Sequence, residues 1–403
     1  MYPTLYHFFY DVFGVEWAWT KLLNSFGFFV AVAFIAASIL LSKELRRKEA
    51  DGILKPGSRK VMVGLPVNWF DVGLNALIGF VLGWKFIYLI TNSSRLFGPD
   101  SIPQQHIFSR EGDLLWGILA AIALGGWRYY EMKKAQLPEP KELTVPVHPY
   151  ELTGSFTFVA AIFGIAGAKL FHLIEHPSQF LEFFTNPDLE SFLSGLTVYG
   201  GLIVAGIAVG IYAYRKGIPF LHLADATAPG LILAYGIGRI GCHVSGDGDW
   251  GIANTSPKPG WLSWMPDWLW AYDYPNNVSK VRDWDGNTYG VPITDGPCFD
   301  GYCTHLVPAV YPTPLYELAM TLVIFAILWS LRKRWKIPGT IFSLYILLNG
   351  VERFLIEKIR VNVKFDVMGI QMTQAEIIAI LFILSGAAML FWLHKKSLTS
   401  GTA

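Results

Sequence analysis

Residues 223–251 read LADATAPGLILAYGIGRIGCHVSGDGDWG. The stretch is apolar enough to cross a bilayer, yet it carries Asp225, Arg239, His243, Asp247 and Asp249, and its glycines cluster around the arginine. Bringing an arginine to the bilayer centre costs about 2.5–3.5 kcal/mol on insertion scales, so one retained there normally faces a polar cavity or a partner. The competing reading is an arginine at a helix end, its stem in lipid and its head snorkelling to the interface. Both readings put the stretch in a membrane helix.

Working outward, the rest of the chain has the same character. Its 403 residues are 53% hydrophobic and only 16% charged, with a mean hydropathy of +0.38. That composition excludes an ordinary soluble globular domain. Apolar runs close to the ~20 residues needed to cross hydrocarbon recur along the chain. They predict an all-α polytopic membrane protein, a single integral membrane domain over residues 1–396. Nine spans are expected, near 26–41, 67–90, 114–130, 156–174, 198–214, 223–241, 314–329, 339–357 and 375–393. The Lys/Arg clusters at 43–60, 133–141, 215–216, 332–336 and 395–396 then share one side, which the positive-inside rule makes cytoplasmic. The basic loop 43–66 and the C-terminus are therefore expected inside, and the N-terminus outside. Residues 243–311, rich in Trp, Asp, Asn, Pro and Gly, predict an extracytoplasmic head without a long helix. Segment 175–197 holds no lysine or arginine and reads as an outer loop. The N-terminus shows no cleavable signal peptide. Cys298 and Cys303 are candidates for an outer disulfide, with Cys242 free.

Three places put charge into apolar surroundings. In GRIGCHVSGDGDWG (238–251), Arg239 is a natural bidentate ligand for phosphate. Gly238 and Gly241 leave room for a lipid headgroup or let helices approach closely. Asp247 either orients the arginine or is a solvated loop residue, and Asp249 reads more as solvated. In YPTPLYE (311–317), Glu317 either satisfies a helix N-terminus or belongs to a site. In NGVERFLIEKIR (349–360), Arg353 and Glu357 are four apart and share a helix face. They form a structural pair, or Arg353 faces a phosphate across from Arg239. Two arginines on different helices at similar depth weaken the snorkelling reading of either. Tyr199, beside Gly200 and Gly201 in LTVYGGLIVAG (196–206), is a headgroup ligand or an interface tyrosine. No stretch has the spacing of a metal site, a phosphate-cradling loop or a nucleophile elbow.

Taken in order, these stretches resemble the bacterial prolipoprotein diacylglyceryl transferases. GRIGCHVSGDGDWG resembles that family's GRIGNFINGELWG signature, and YPTPLYE its HPSQLYE segment. PGTIFSLYILLNGVERFLIEKIR (338–360) resembles the stretch ending in RFxIExxR. LTVYGGLIVAG resembles SFHGGLIG, MGIQMTQAE resembles LGLTMGQ, and MYPT with SFGFFVAVAF resembles the N-terminal span. The resemblance implies a seven-helix core with the N-terminus outside. The spans at 67–90 and 114–130 then form a two-helix insertion over 67–130 that preserves this orientation. Carried over by motif, Arg239, Arg353, Glu357 and Tyr199, the last at the family's histidine position, are implied as catalytic. Gly200, Gly201, Gly238, Gly241, Asp247, Tyr316 and Glu317 are implied as substrate-binding, with Asp247 at the signature glutamate.

Some positions depart from the family pattern. Tyr199 stands where the family usually has histidine, Cys242 replaces the signature asparagine, and Asn349 a tyrosine. Pro312, Thr313 and Pro314 replace the Pro-Ser-Gln turn, and Phe26 lacks the family's hydroxyl. A tyrosine with a pKa near ~10 is a poor base at neutral pH, so the neighbouring His243 is taken as the substitute. The implied reaction moves diacylglyceryl from phosphatidylglycerol to the lipobox cysteine of a prolipoprotein in the bacterial inner membrane. Partners are then phosphatidylglycerol, lipobox peptides and membrane lipids, with no nucleic acid, cofactor or metal. Two other classes stay open: an inactive homologue that binds phospholipid or lipoprotein precursors as a scaffold, and a small-molecule transporter. The transporter lacks a broken-helix repeat pair or a deep acidic coupling site.

Overall fold

The computed structural model describes residues 1–97, 106, 109–177, 197–279, 289–294, 296, 298–299, 301–367 and 369–399. Most of the expected outer loop 175–197 lies outside the described residues. The helices are α1 (Leu5–Phe13), α2 (Ser25–Ala50), α3 (Trp69–Thr91), α4 (Leu114–Ala135), α5 (Thr153–Glu175), α6 (Val198–Arg215), α7 (Phe220–Ser245), α8 (Thr313–Leu331), α9 (Thr340–Glu357) and α10 (Gln374–Thr399). Among the described residues, three antiparallel strand pairs accompany them: β1 (Gly57–Val63) with β2 (Lys141–Val147), β3 (Tyr289–Pro292) with β4 (Thr304–Val307), and β5 (Lys364–Val367) with β6 (Ile370–Thr373).

Seven helices, α2, α3, α5 with its preceding turn, α6, α7, α8 and α10, are long and apolar enough to cross a membrane. The fold is all-α and polytopic. Helices α4 and α9 form where spans were expected but fall short of that apolarity. The reason is charge: Arg128, Glu131, Lys133 and Lys134 in α4, and Glu352, Arg353 and Glu357 in α9.

The chain divides into two compact units, one of Met1–Lys55, Pro149–Asn186 and Ser194–Ala403, the other of Pro56–His148 and Pro187–Leu193. In the second unit, Asn68 and Asp113 cap α3 and α4, Asp113 accepting from the backbone N–H of Leu115 (3.1 Å) and Trp116 (3.2 Å). These caps satisfy donors that a helix start leaves open. β1, before the start of α3, pairs with β2, after the end of α4, with Gly57 opposite Val147.

In the first unit, α7 is the centre. Half of its apolar window is buried, against 11–28% for the other candidate spans. It packs on α2 and α8, α5 pairs with α6, and α9 with α10. Gly241 is needed for the approach to α2, because a Cβ there would lie 3.0 Å from Phe29 Cβ. The basic run after residue 43 is helical rather than a loop: α2 continues to Ala50. Arg47 ties it together through Glu44 and Asp51, each at 2.8 Å, and Asp51 ends the helix just before Gly52.

Residues beyond α7 fold over a small core of Trp250, Tyr274, Leu306 and Val310. The Met1 amine donates to Pro275 O at 2.5 Å, and Tyr2 N–H to Val244 O at 2.8 Å. Burial holds that amine down at about 6. The N-terminus thus lies against the segment that follows α7, at the end of the bundle where α7 finishes. Cys298 and Cys303 are disulfide-bonded and Cys242 is free and buried. The last turns of α10 lie at the other end, where Leu393 packs beside Gly339.

Candidate active site

Arg239 sits in the last two turns of α7, Glu317 in the first turns of α8, and Arg353 and Glu357 one turn apart near the end of α9. The three helices bring them together. Glu317 is fully buried and is the hub. Its Oε2 accepts from the Tyr235 hydroxyl at 3.0 Å and pairs with Nε of Arg239; its Oε1 faces Nη1 of Arg360 at 3.1 Å. Asp249 is the second acid: Oδ2 pairs with Nη1 of Arg239 and Oδ1 with Nη2 of Arg360 at 2.5 Å. Two arginines and two carboxylates therefore form a closed ring. Arg353 hangs from it, bound to Glu357 Oε2 at 2.8 Å, with Nη1 3.7 Å from Glu317 Oε1. That separation is beyond a hydrogen bond. Among the described residues no hydrogen bond occupies this Nη1, which leaves it a donor for an incoming anion.

The loop after α7 decides which aspartate joins the ring. Gly246 ends the helix at φ +64° and Gly248 turns the chain at φ +103°, backbone that glycine adopts without strain. Trp250 is buried in the head core as an anchor. Gly251 N–H then donates to Tyr311 O and Ile252 N–H to Ile359 O, both at 2.9 Å. The bridge between Gly251 and Arg360 lays this strand beside the end of α9, where a Cβ at residue 251 would collide with Ile359 O. Thr313 Oγ1 also donates to Asp249 O at 2.8 Å. Asp249 and Arg360 meet because their backbones are zipped together.

Asp247 was the expected partner of Arg239, and Asp249 takes that position. GRIGCHVSGDGDWG is one residue longer than GRIGNFINGELWG, so the signature acid has two possible counterparts. Asp247 instead accepts from Asp249 N–H at 3.2 Å. Burial opposes ionisation of Asp249, but Arg239 and Arg360 outweigh it and hold the carboxyl down at about 2. Burial, reinforced by the charge on Asp249, pushes Asp247 up. Cys242, Asp247 and Asp249 place ligand atoms within 4.8 Å of one another, but both oxygens of Asp249 are occupied by guanidinium groups.

The other expected residues lie around this ring or away from it. Gly238 faces open space and Gly241 packs on α2. His243 is one turn beyond Arg239; its Nδ1 lies 3.1 Å from the Tyr274 hydroxyl, with Tyr272 against the ring. Tyr316 donates its hydroxyl to Leu269 O at 2.7 Å, tying α8 to the head. Gly200 and Gly201 lie in the contact of α6 with α5, where added Cβ atoms would come 2.6 Å from Gly167 O and 2.9 Å from Gly164 O. Among the described residues, no hydrogen bond joins Tyr199 to the ring. The sequence reading missed Arg360, Asp249 and Tyr235 as site residues. Arg353, Glu357 and Arg360 are spaced i, i+4, i+7, a one-face signal for Arg360. Nothing local marks Asp249 over Asp247.

The low pKa of Asp249 has a consequence for stability. A carboxyl held below its ordinary 3.8 stabilises the fold fully above that value, and the contribution is lost as pH falls towards about 2. The thermal midpoint in detergent is therefore expected to fall between about pH 4 and pH 2. Asp249→Asn should flatten that part of the profile, and an unchanged slope would contradict the pairing.

Fold and site together define a class: a multi-pass membrane protein that buries an arginine–carboxylate ring near the end of its bundle carrying the head. Residues 114–392 match the prolipoprotein diacylglyceryl transferase family, and the chain belongs to that family. The phosphatidylglycerol–prolipoprotein diacylglyceryl transferase of Corynebacterium glutamicum is 33% identical over 251 residues, 61% of this chain and 70% of that protein. Its counterpart in Corynebacterium diphtheriae is 30% identical over 246 residues, 60% of this chain and 78% of that protein. That of Cutibacterium acnes is 26% identical over 316 residues, 76% of this chain and 82% of that protein. Membership makes this chain a multi-pass inner-membrane transferase of lipoprotein biosynthesis.

Proposed function

We propose that the chain transfers the diacylglyceryl group of phosphatidylglycerol to the thiol of a prolipoprotein lipobox cysteine, releasing glycerol phosphate. The observation that carries this reading is the convergence of Arg239, Arg353 and Arg360 on Glu317 inside an apolar helix bundle. The phosphodiester enters against the Nη1 edge of Arg353, and the guanidinium donors of Arg239, Arg353 and Arg360 lie where the leaving phosphate gains negative charge. Water exclusion strengthens those contacts. The cysteine sulfur attacks the glycerol carbon that bears the phosphate, a C–S bond forms, and the C–O bond breaks with its electrons leaving on glycerol phosphate. The thiol proton passes to His243, which lies one turn from Arg239 on the same helix face. The head over 243–311 guides the extracytoplasmic peptide, and the pair of spans over 67–130 is an insertion into the sequence of the seven-helix core. The N-terminus faces outward and the C-terminus inward, as the basic clusters require.

Proteoliposomes containing phosphatidylglycerol should release glycerol phosphate only when a lipobox peptide is added. Peptide or lipid binding without release would support a scaffold instead. His243→Gln should lower turnover and remove an ionisation from the pH–rate profile. An unchanged profile would remove His243 from the proton transfer.

A further inference from the structure

At the end of the bundle away from the head, the last turns of α2, the first turns of α7, the segment after α8 and the start of α9 enclose a cavity of about 790 Å³. Small-molecule sites typically measure ~300–1,000 Å³. Asp225 on its wall is fourteen residues from Arg239 along α7, about 21 Å at the helical rise. This cavity is therefore separate from the arginine ring.

Its lining holds five cationic and three anionic side chains. All three acids are already engaged. Glu44 binds Arg47 at 2.8 Å and Arg332 at 2.6 Å, and Asp51 binds Arg47 at 2.8 Å. Asp225 accepts from the backbone N–H groups of Gly339 (2.7 Å) and Phe342 (2.9 Å), capping α9. The surplus is cationic. Lys48, only 6% exposed, has no hydrogen bond or ion pair from its ammonium among the described residues. Nδ1 of His222 is likewise buried with no partner. Lys333 and Lys336 line the exposed rim. Asp225, Glu44 and Asp51 share the wall with Lys48, but among the described residues none of them binds its ammonium directly. An ammonium buried without a direct partner is costly, and an anion in the cavity supplies that partner.

We propose that this cavity is a second anion site that takes the phosphate group of a phosphate ester. The phosphate oxygens accept from Lys48, with His222 beside it on the wall, and Lys333 and Lys336 add charge at the mouth. Trp335 and Ile341, also on the wall, give an apolar flank to the rest of the ligand. The shared chemistry fits either the headgroup of an anionic phospholipid or a soluble phosphate ester.

The test uses the full chain in phosphatidylcholine nanodiscs, with the thermal midpoint read against added inorganic phosphate or glycerol phosphate. A parallel arm adds phosphatidylglycerol to the nanodisc. Wild type and Arg239→Ala should both be stabilised, which separates this site from the proposed catalytic one. Lys48→Met should bind on the order of ten-fold more weakly, as expected for one lost charge-assisted hydrogen bond, and Lys48→Arg should restore binding. A response to the soluble esters assigns a free phosphate ester, and a response to the lipid alone assigns a headgroup. No response in wild type, or equal responses in wild type and Lys48→Met, overturns the proposal. If Lys48→Met does not fold, Lys333→Gln with Lys336→Gln on the exposed rim carries the same comparison.

Discussion

Arg239→Ala is expected to abolish transfer of labelled diacylglyceryl from phosphatidylglycerol to a lipobox peptide while leaving a folded protein. Arg239 reaches both Asp249 and Glu317 and stacks over the Tyr235 ring, with the guanidinium carbon 4.9 Å from its centroid. Its loss removes one of three cations around the departing phosphate. Removing a single preorganised donor at a developing anion typically costs about 10²–10³ in rate, and here a whole charge goes with the donor. Folding survives because Arg360 binds the same two carboxylates, so neither acid is left alone. Arg239→Lys separates charge from geometry. An ammonium is a point charge and lacks the planar fork that spans two carboxylates, so lysine should preserve the thermal midpoint and recover little of the rate. Normal incorporation by Arg239→Ala would end its proposed role.

Glu317→Ala is expected to act on the fold itself. Its carboxylate is fully buried and faces three guanidinium groups; without it Arg239 and Arg360 are left to share Asp249, and Arg353 keeps only Glu357. Removing one partner of a buried ionic cluster typically costs about 3–5 kcal/mol, because the remaining charges lose their counter-ion without regaining water. That is a large share of the ~5–15 kcal/mol by which a domain is stable. The prediction is a much lower thermal midpoint in detergent and poor recovery of folded protein. Glu317→Gln keeps the shape and an acceptor for the Tyr235 hydroxyl, so it should fall between wild type and alanine. An unaltered midpoint for Glu317→Ala would mean that the ring does not hold α7, α8 and α9 together.

The contrast between these variants shows how much of the site was legible in the chain. Arg239, Arg353, Glu317 and Glu357 were each visible because a charge in an apolar run has a cost that the local sequence alone reveals. Arg360 follows one helical turn after Glu357, but it lies just past the apolar run and so looked like an ordinary helix end. Asp249 was read as solvated because it closes the run Gly246-Asp247-Gly248-Asp249, the composition of a surface turn. The family resemblance pointed to Asp247, since counting forward from Arg239 reaches it first. The glycines beside Tyr199 were implied as substrate-binding by the resemblance, and the described contacts use them to pack α6 on α5.

The sequence by itself determined the membrane class, the family and the position of nearly every helix. Run length, charge density and Lys/Arg clustering are properties of short segments, and the bilayer reads them segment by segment. Its one systematic limit was charge: α4 and α9 form as helices, but their charged residues lower the apolarity that a span requires. Only the tertiary structure decided how the charges are partnered. Arg360 meets Asp249 across 111 residues and Glu317 across 43, and Lys48 faces Asp225 from another helix. Such pairings depend on backbone register, set here by the extra residue in the loop after Arg239 and by the bridge between Gly251 and Arg360. Register is a three-dimensional quantity, and no local pattern of residue types encodes it.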